Sequence, residues 1–67
     1  MTEEQGQLMT TEQVGELLGL KPATLVDWRH DGKGPRWYKM GRLTRYKLSD
    51  VLKWQDQVLV AMEPTSL

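Results

Sequence analysis

From Met9 onward the apolar positions fall into two helical stripes, a short alternating stretch and a third helical stripe. Thr10 stands where a helix N-cap belongs, and Gln13 three residues later completes a capping box. Met9 and Val14 have the spacing of a hydrophobic staple around that cap. Val14, Leu17 and Leu18 line one face, and Gly19 can close the turn in the left-handed conformation that glycine takes cheaply. This predicts a first helix over Thr11–Leu18. Gly15 inside it costs about 1 kcal/mol relative to alanine, and nothing in the sequence offsets that. After the turn Gly19-Leu20-Lys21, Pro22 occupies the first position of a second helix. Leu25 and Trp28 form its inner face, and Asp31-Gly32 ends it. A helix, a tight glycine-bearing turn and a short second helix make the helix-turn-helix pattern. A generic antiparallel helix pair is the plainer alternative; the basic stretch that follows favours the DNA-binding form.

Gly32-Lys33-Gly34-Pro35 breaks the chain, and residues 36–48 read as a β-hairpin around Gly41. A two-residue turn at Gly41-Arg42 would place Tyr38, Met40, Leu43 and Arg45 on one face and mix charge into the core. A three-residue loop, Gly41-Arg42-Leu43, instead pairs Met40 with Thr44 and Tyr38 with Tyr46. It gathers Trp37, Lys39, Arg45 and Lys47 on the outer face and leaves Arg42 at the exposed tip. The cleaner separation predicts the three-residue loop. Ser49 then caps a third helix, with Asp50 in its first turn. Val51, Trp54, Val58 and Met62 continue its stripe and Pro64 stops it. Trp28 and Trp54 are assigned to the core. The run from Val58 to Met62 is apolar on more sides than a small core uses, so Leu59 or Val60 is left exposed as a partner surface; over-packing is the plainer reading. Residues 1–8 lack a periodic pattern and read as a loose tail, residues 9–63 as the domain, and residues 64–67 as a second tail.

Composition narrows what such a domain does. A single chain of 67 residues buries only about 60% of its unfolded surface. The absence of cysteine excludes disulfides and thiolate metal sites, and His30 alone cannot build a zinc site, so no metal or cofactor is expected. No apolar run approaches the roughly 20 residues of a membrane-spanning helix, and the acidic start is unlike a signal peptide. Both predict a soluble intracellular protein without membrane contact. The net charge of zero conceals segregation. Glu3, Glu4, Glu12 and Glu16 stand in residues 1–20 without a base. Arg29, Lys33, Arg36, Lys39, Arg42, Arg45 and Lys47 stand in residues 29–47 against Asp31 alone, seven bases to one acid. This basic block is interleaved with Trp37, Tyr38 and Tyr46. It points to a face for a polyanion, against the alternative of a solvated charged hairpin. No nucleophile–base pair or paired carboxylates stand out, so no catalytic residue is assigned and an enzyme is not expected.

The stretch from Met9 to Trp54 resembles the compact winged-helix domain of phage excisionases and the related MerR-like helix-turn-helix family. The resemblance is carried by Leu17-Leu18-Gly19, Thr24-Leu25 with Trp28-Arg29, Gly32-Lys33-Gly34-Pro35, Gly41-Arg42, Arg45-Tyr46 and Ser49-Asp50. It implies a mainly α fold with a small β-hairpin, a winged helix-turn-helix. It further implies that the second helix enters the major groove of double-stranded DNA with Ala23, Thr24, Asp27 and His30 toward the bases. Arg29 and Lys33 would flank that helix as phosphate contacts, and Arg42 would probe the minor groove. Lys39, Arg45 and Lys47 would meet phosphates along the wing, while Trp37 shields the hairpin. The chain departs from the family pattern at Lys21, where serine is usual, at Gly15, where alanine is usual, and at Asp27, where arginine is frequent. An acid at Asp27 either accepts from cytosine N4 or pairs with a base of the protein itself.

The function implied by the resemblance is that of an excisionase, an architectural recombination directionality factor. Such a protein bends attachment-site DNA and turns a phage integrase toward excision, in the cytoplasm of a bacterial host. A small winged-helix transcriptional regulator is the alternative. A protein-interaction module is a third class, and it leaves the basic wing without a use. A single module of this kind buries about 600–1,000 Å² of its surface on DNA, too little for strong specificity alone. The expected state is therefore a monomer in solution that assembles cooperatively head to tail on DNA, with Leu59 and Val60 as one candidate contact.

Overall fold

In the computed structural model, which describes residues 7–62, the capping box forms as its spacing predicts. Thr10 Oγ1 accepts from the Gln13 amide at 3.1 Å and Gln13 Oε1 accepts from the Thr10 amide at 2.9 Å, which opens α1 (Thr11–Leu18). Gly19 ends α1 at φ 73°. The turn beyond it folds back so tightly that the Leu20 amide donates to the Gly15 carbonyl at 2.8 Å. A Cβ on Gly15 would stand 2.6 Å from the Leu20 carbonyl oxygen. The reason for this glycine is tertiary: it admits the helix-turn-helix corner. Gly15→Ala would gain about 1 kcal/mol in an unobstructed helix. Here it is expected to lower stability by about 1–3 kcal/mol through overpacking, read as a fall rather than a rise in Tm.

Pro22 starts α2 (Pro22–Asp31), where its missing N–H and preset φ cost nothing, and Gly32 closes it at φ 72°. The core takes one buried side chain from each main element: Val14 from α1, Leu25 from α2, Tyr46 from β3 (Leu43–Lys47) and Val51 from α3 (Leu48–Val58). Met9, Leu18, Leu20 and Trp28 pack around them. Complete burial of a Val or Leu contributes about 1.5–3 kcal/mol, so a core of this size leaves a narrow margin. Leu17, although part of the apolar stripe, stays 43% exposed. Trp28 and Trp54 are half-buried and meet each other at 5.6 Å with their planes tilted by 52°. Gly34 passes so close to Trp28 that a Cβ there would lie 2.9 Å from its ring.

Three expectations are corrected by the sheet. The first is the tail: Leu8–Met9 form β1, paired antiparallel with β3 through Leu8 opposite Lys47 and Met9 opposite Tyr46. Residues 1–6 and 63–67 lie outside the described residues. With β2 (Tyr38–Met40) on its other side, β3 is the centre of a sheet ordered β1-β3-β2. The second is the hairpin, where Met40 faces Leu43, Lys39 faces Thr44 and Tyr38 faces Arg45, so the loop is the two-residue Gly41-Arg42 turn. Gly41 has φ 66° and Arg42 does not have positive φ, the pattern of a type II′ turn whose twist matches the strands. Turn chemistry outweighed the separation of charge from apolar surface, and Met40 and Leu43 are left 48% and 49% exposed.

The third is the last helix. Ser49 is not its cap: Lys47 holds that position, without a side-chain capping bond. The strand runs directly into α3, and the Leu48 amide still donates to the Gln7 carbonyl of the β1 segment at 2.9 Å. That sheet-like bond satisfies one amide a capping serine would have served. The helix ends at Val58, not near Pro64, so Leu59 caps it with extended backbone, Val60 follows outside the helix and Met62 is not on its stripe. Val58 is already 49% exposed, so a further turn has no apolar surface to pack upon. Three helices and a three-stranded antiparallel sheet, mostly α with a small β wing, make a winged helix-turn-helix.

Candidate nucleic-acid interface

α2 buries Leu25 and turns Trp28 and Arg29 inward. The opposite face carries Ala23, Val26, Asp27 and His30, at the i, i+3, i+4 and i+7 spacing of a single helical face. All four are exposed, and Thr24 borders them half-buried. Sequence reasoning misses Val26 as a member of this face. Its signal was faint because α2 does not separate apolar from polar positions: an arginine faces inward and a valine outward.

Arg29 is placed differently from the phosphate contact that the resemblance implies. Its Nη1 donates to Tyr46 Oη at 2.8 Å and to Thr11 Oγ1 at 3.1 Å. Its guanidinium also lies over the Trp37 and Tyr46 rings, 5.6 and 5.9 Å from their centroids. One side chain therefore ties the second helix to the start of the first and to the central strand of the wing. Trp37 is 37% exposed and serves as one wall of this clamp. Lys33, just past α2, is exposed.

The observed register divides the wing's cations between two faces. Along β3, Thr44 and Tyr46 point one way, with Lys39 opposite Thr44, while Leu43, Arg45 and Lys47 point the other. Lys39, Arg45 and Lys47 thus do not share one outer face. Arg42 sits exposed in the turn. Arg45 Nη1 donates to its neighbour's carbonyl, Thr44 O, at 2.7 Å. Tyr38 is flanked by the Lys47 ammonium at 4.7 Å and the Arg36 guanidinium at 5.7 Å. Its hydroxyl donates to Asp50 Oδ2 at 2.5 Å, fastening β2 to the first turn of α3. That hydrogen bond, with desolvation and the negative charge of Asp50 adding to it, holds the Tyr38 phenol above its ordinary value; Arg36 pulls the other way. The neutral phenol is the donor, so the fastening persists at neutral pH.

An exposed second helix beside a cation-bearing, clamped wing is the arrangement of a DNA-binding winged helix-turn-helix. The chain belongs to the helix-turn-helix domain family, whose model matches residues 8–58, from the start of β1 to the end of α3. This is a DNA-binding family that includes excisionase-like proteins. Membership supports sequence-specific binding to double-stranded DNA. Among curated proteins none matches the chain. No helix among the described residues is long and apolar enough to cross a membrane.

Proposed function

We propose that this protein is an architectural DNA-binding factor of the excisionase type. In this reading α2 enters the major groove with Ala23, Thr24, Asp27 and His30 toward the bases, while the β2–β3 wing reaches the adjacent minor groove through Arg42. Lys33, Lys39, Arg45 and Lys47 contact phosphates. Arg29 acts as a positioning residue between helix and wing. The single observation that carries the reading is the pairing of an outward-facing second helix with a basic wing, fastened to each other by Arg29. The family to which the chain belongs includes excisionase-like proteins, which is compatible with this role; a small transcriptional regulator is the alternative reading. Several copies bind side by side and bend the DNA, which steers a phage integrase toward excision. Leu59 and Val60, 66% and 73% exposed beyond the end of α3, supply apolar surface for contact between neighbours.

Gel-mobility phasing on duplexes with one, two and three direct repeats tests this directly. Cooperative binding by a protein that is monomeric in solution, with a bend that follows helical phase, is expected. A stable dimer on one inverted repeat, with unbent DNA, would favour the regulator. Single substitutions divide the labour. Arg42→Ala is expected to weaken binding on most sequences, and most where a narrow A·T minor groove flanks the site. Asp27→Ala is expected to relax the preference at one or two base pairs by about 1–3 kcal/mol. Equal tightening on all DNA would show instead that Asp27 reads no base and only repels phosphate.

A further inference from the structure

The placement of Val26 and Arg29 on α2 runs against stability. Arg29 turns its charge into the fold, where two hydroxyls and two aromatic rings are needed to hold it. Val26, one turn back, leaves 37% of its surface in water at the edge of the outward face nearest Arg29. The two residue types are inverted relative to what a helix packing on a core prefers. Departures of this kind concentrate where a surface is used. The neighbours of Val26 on that face are Ala23, also apolar, and the polar Asp27 and His30.

We propose that Val26, with Ala23 beside it, reads thymine 5-methyl groups in the major groove. The inference rests on the DNA-binding reading above and deepens it. The thymine methyl is the one apolar mark on the base edges of the major groove, so it is the feature an exposed valine can recognise. Residues three apart on a helix are separated by about 4.5 Å along its axis, between one and two of the roughly 3.4 Å steps between stacked bases. Val26 and Ala23 therefore suit neighbouring thymines. Asp27, on the same face, is placed to accept from the amino group of an adjacent cytosine.

The test uses the full chain and a duplex selected from a random library by repeated rounds of binding. Thymines in that duplex are replaced by uracil one position at a time, which removes the methyl and leaves the pairing edge intact. The unmodified protein is expected to lose about fourfold in affinity at one or two adjacent positions, the value of one buried methyl-sized group each. Val26→Ala is expected to bind the thymine duplex as weakly as the unmodified protein binds the uracil one. Its response to uracil at the Val26 position should fall below twofold. Val26 is outside the core, so thermal unfolding should show the variant folded like the parent. Equal affinity for thymine and uracil duplexes, or a full methyl response retained by Val26→Ala, overturns the inference while leaving DNA binding intact. Failure to enrich any duplex overturns the DNA-binding reading itself, and this inference with it.

Discussion

Raising the salt concentration from about 50 to about 200 mM is expected to weaken DNA binding about 500-fold. The estimate counts the five cations that the proposed reading sets against DNA. Lys33, Lys39, Arg42 and Lys47 are exposed, and half-buried Arg45 makes a fifth. Arg29 is left out because its guanidinium is engaged by Thr11 and Tyr46. Each neutralised phosphate releases counterions and contributes a slope of about −0.9 in log affinity against log salt, so five contacts give about −4.5. Fluorescence anisotropy with a labelled duplex measures the slope. A flat response would remove the nucleic-acid reading, because a zero-charge protein has no other strong long-range attraction to DNA.

Arg29→Ala is expected to lower the stability of the domain by about 2–4 kcal/mol. It removes two hydrogen bonds, deprives the Tyr46 hydroxyl of its donor in a residue that is only 1% exposed, and empties the space over two aromatic rings. In a domain this small the loss corresponds to a Tm lower by about 10–25 °C. Arg29→Lys is expected to recover only part of it, since an ammonium cannot match a planar guanidinium over the rings. The salt dependence distinguishes clamp from contact. A phosphate-binding arginine would leave Tm almost unchanged and reduce the salt slope by about 1 when removed. For Arg29 the expected result is the reverse: a large fall in Tm, and an unchanged slope at temperatures where the variant is folded.

The candidate interface was legible in outline. Ala23, Asp27 and His30 are exposed on one face of α2, and Arg42 is exposed at the wing turn. The inward turn of Arg29 was hidden, because it depends on the hydroxyls of Thr11 and Tyr46, both seventeen or more residues away in sequence. No window of α2 alone contains that information. The outward place of Val26 follows from the helical period once Leu25 and Trp28 face the core.

Local sequence alone sets the start and end of α1 and α2, because their signals are short-range. A capping box spans four residues, proline presets its own φ, and Gly19 and Gly32 take left-handed conformations within a residue of each helix end. It also determined most of the core, since Val14, Leu25 and Val51 stand at helical positions whose burial needs only an amphipathic face. Tertiary structure decided the rest. Gly15 owes its place to the Leu20 carbonyl across the corner, not to its own helix. The two-residue register of the wing follows from a glycine-led turn joined to a strand that already pairs with β1 on its far edge. The first amide of α3 is satisfied from Gln7, and its last turn ends where no apolar partner remains. Each of these depends on a contact between segments far apart in the chain, where loop closure and packing outweigh local preference.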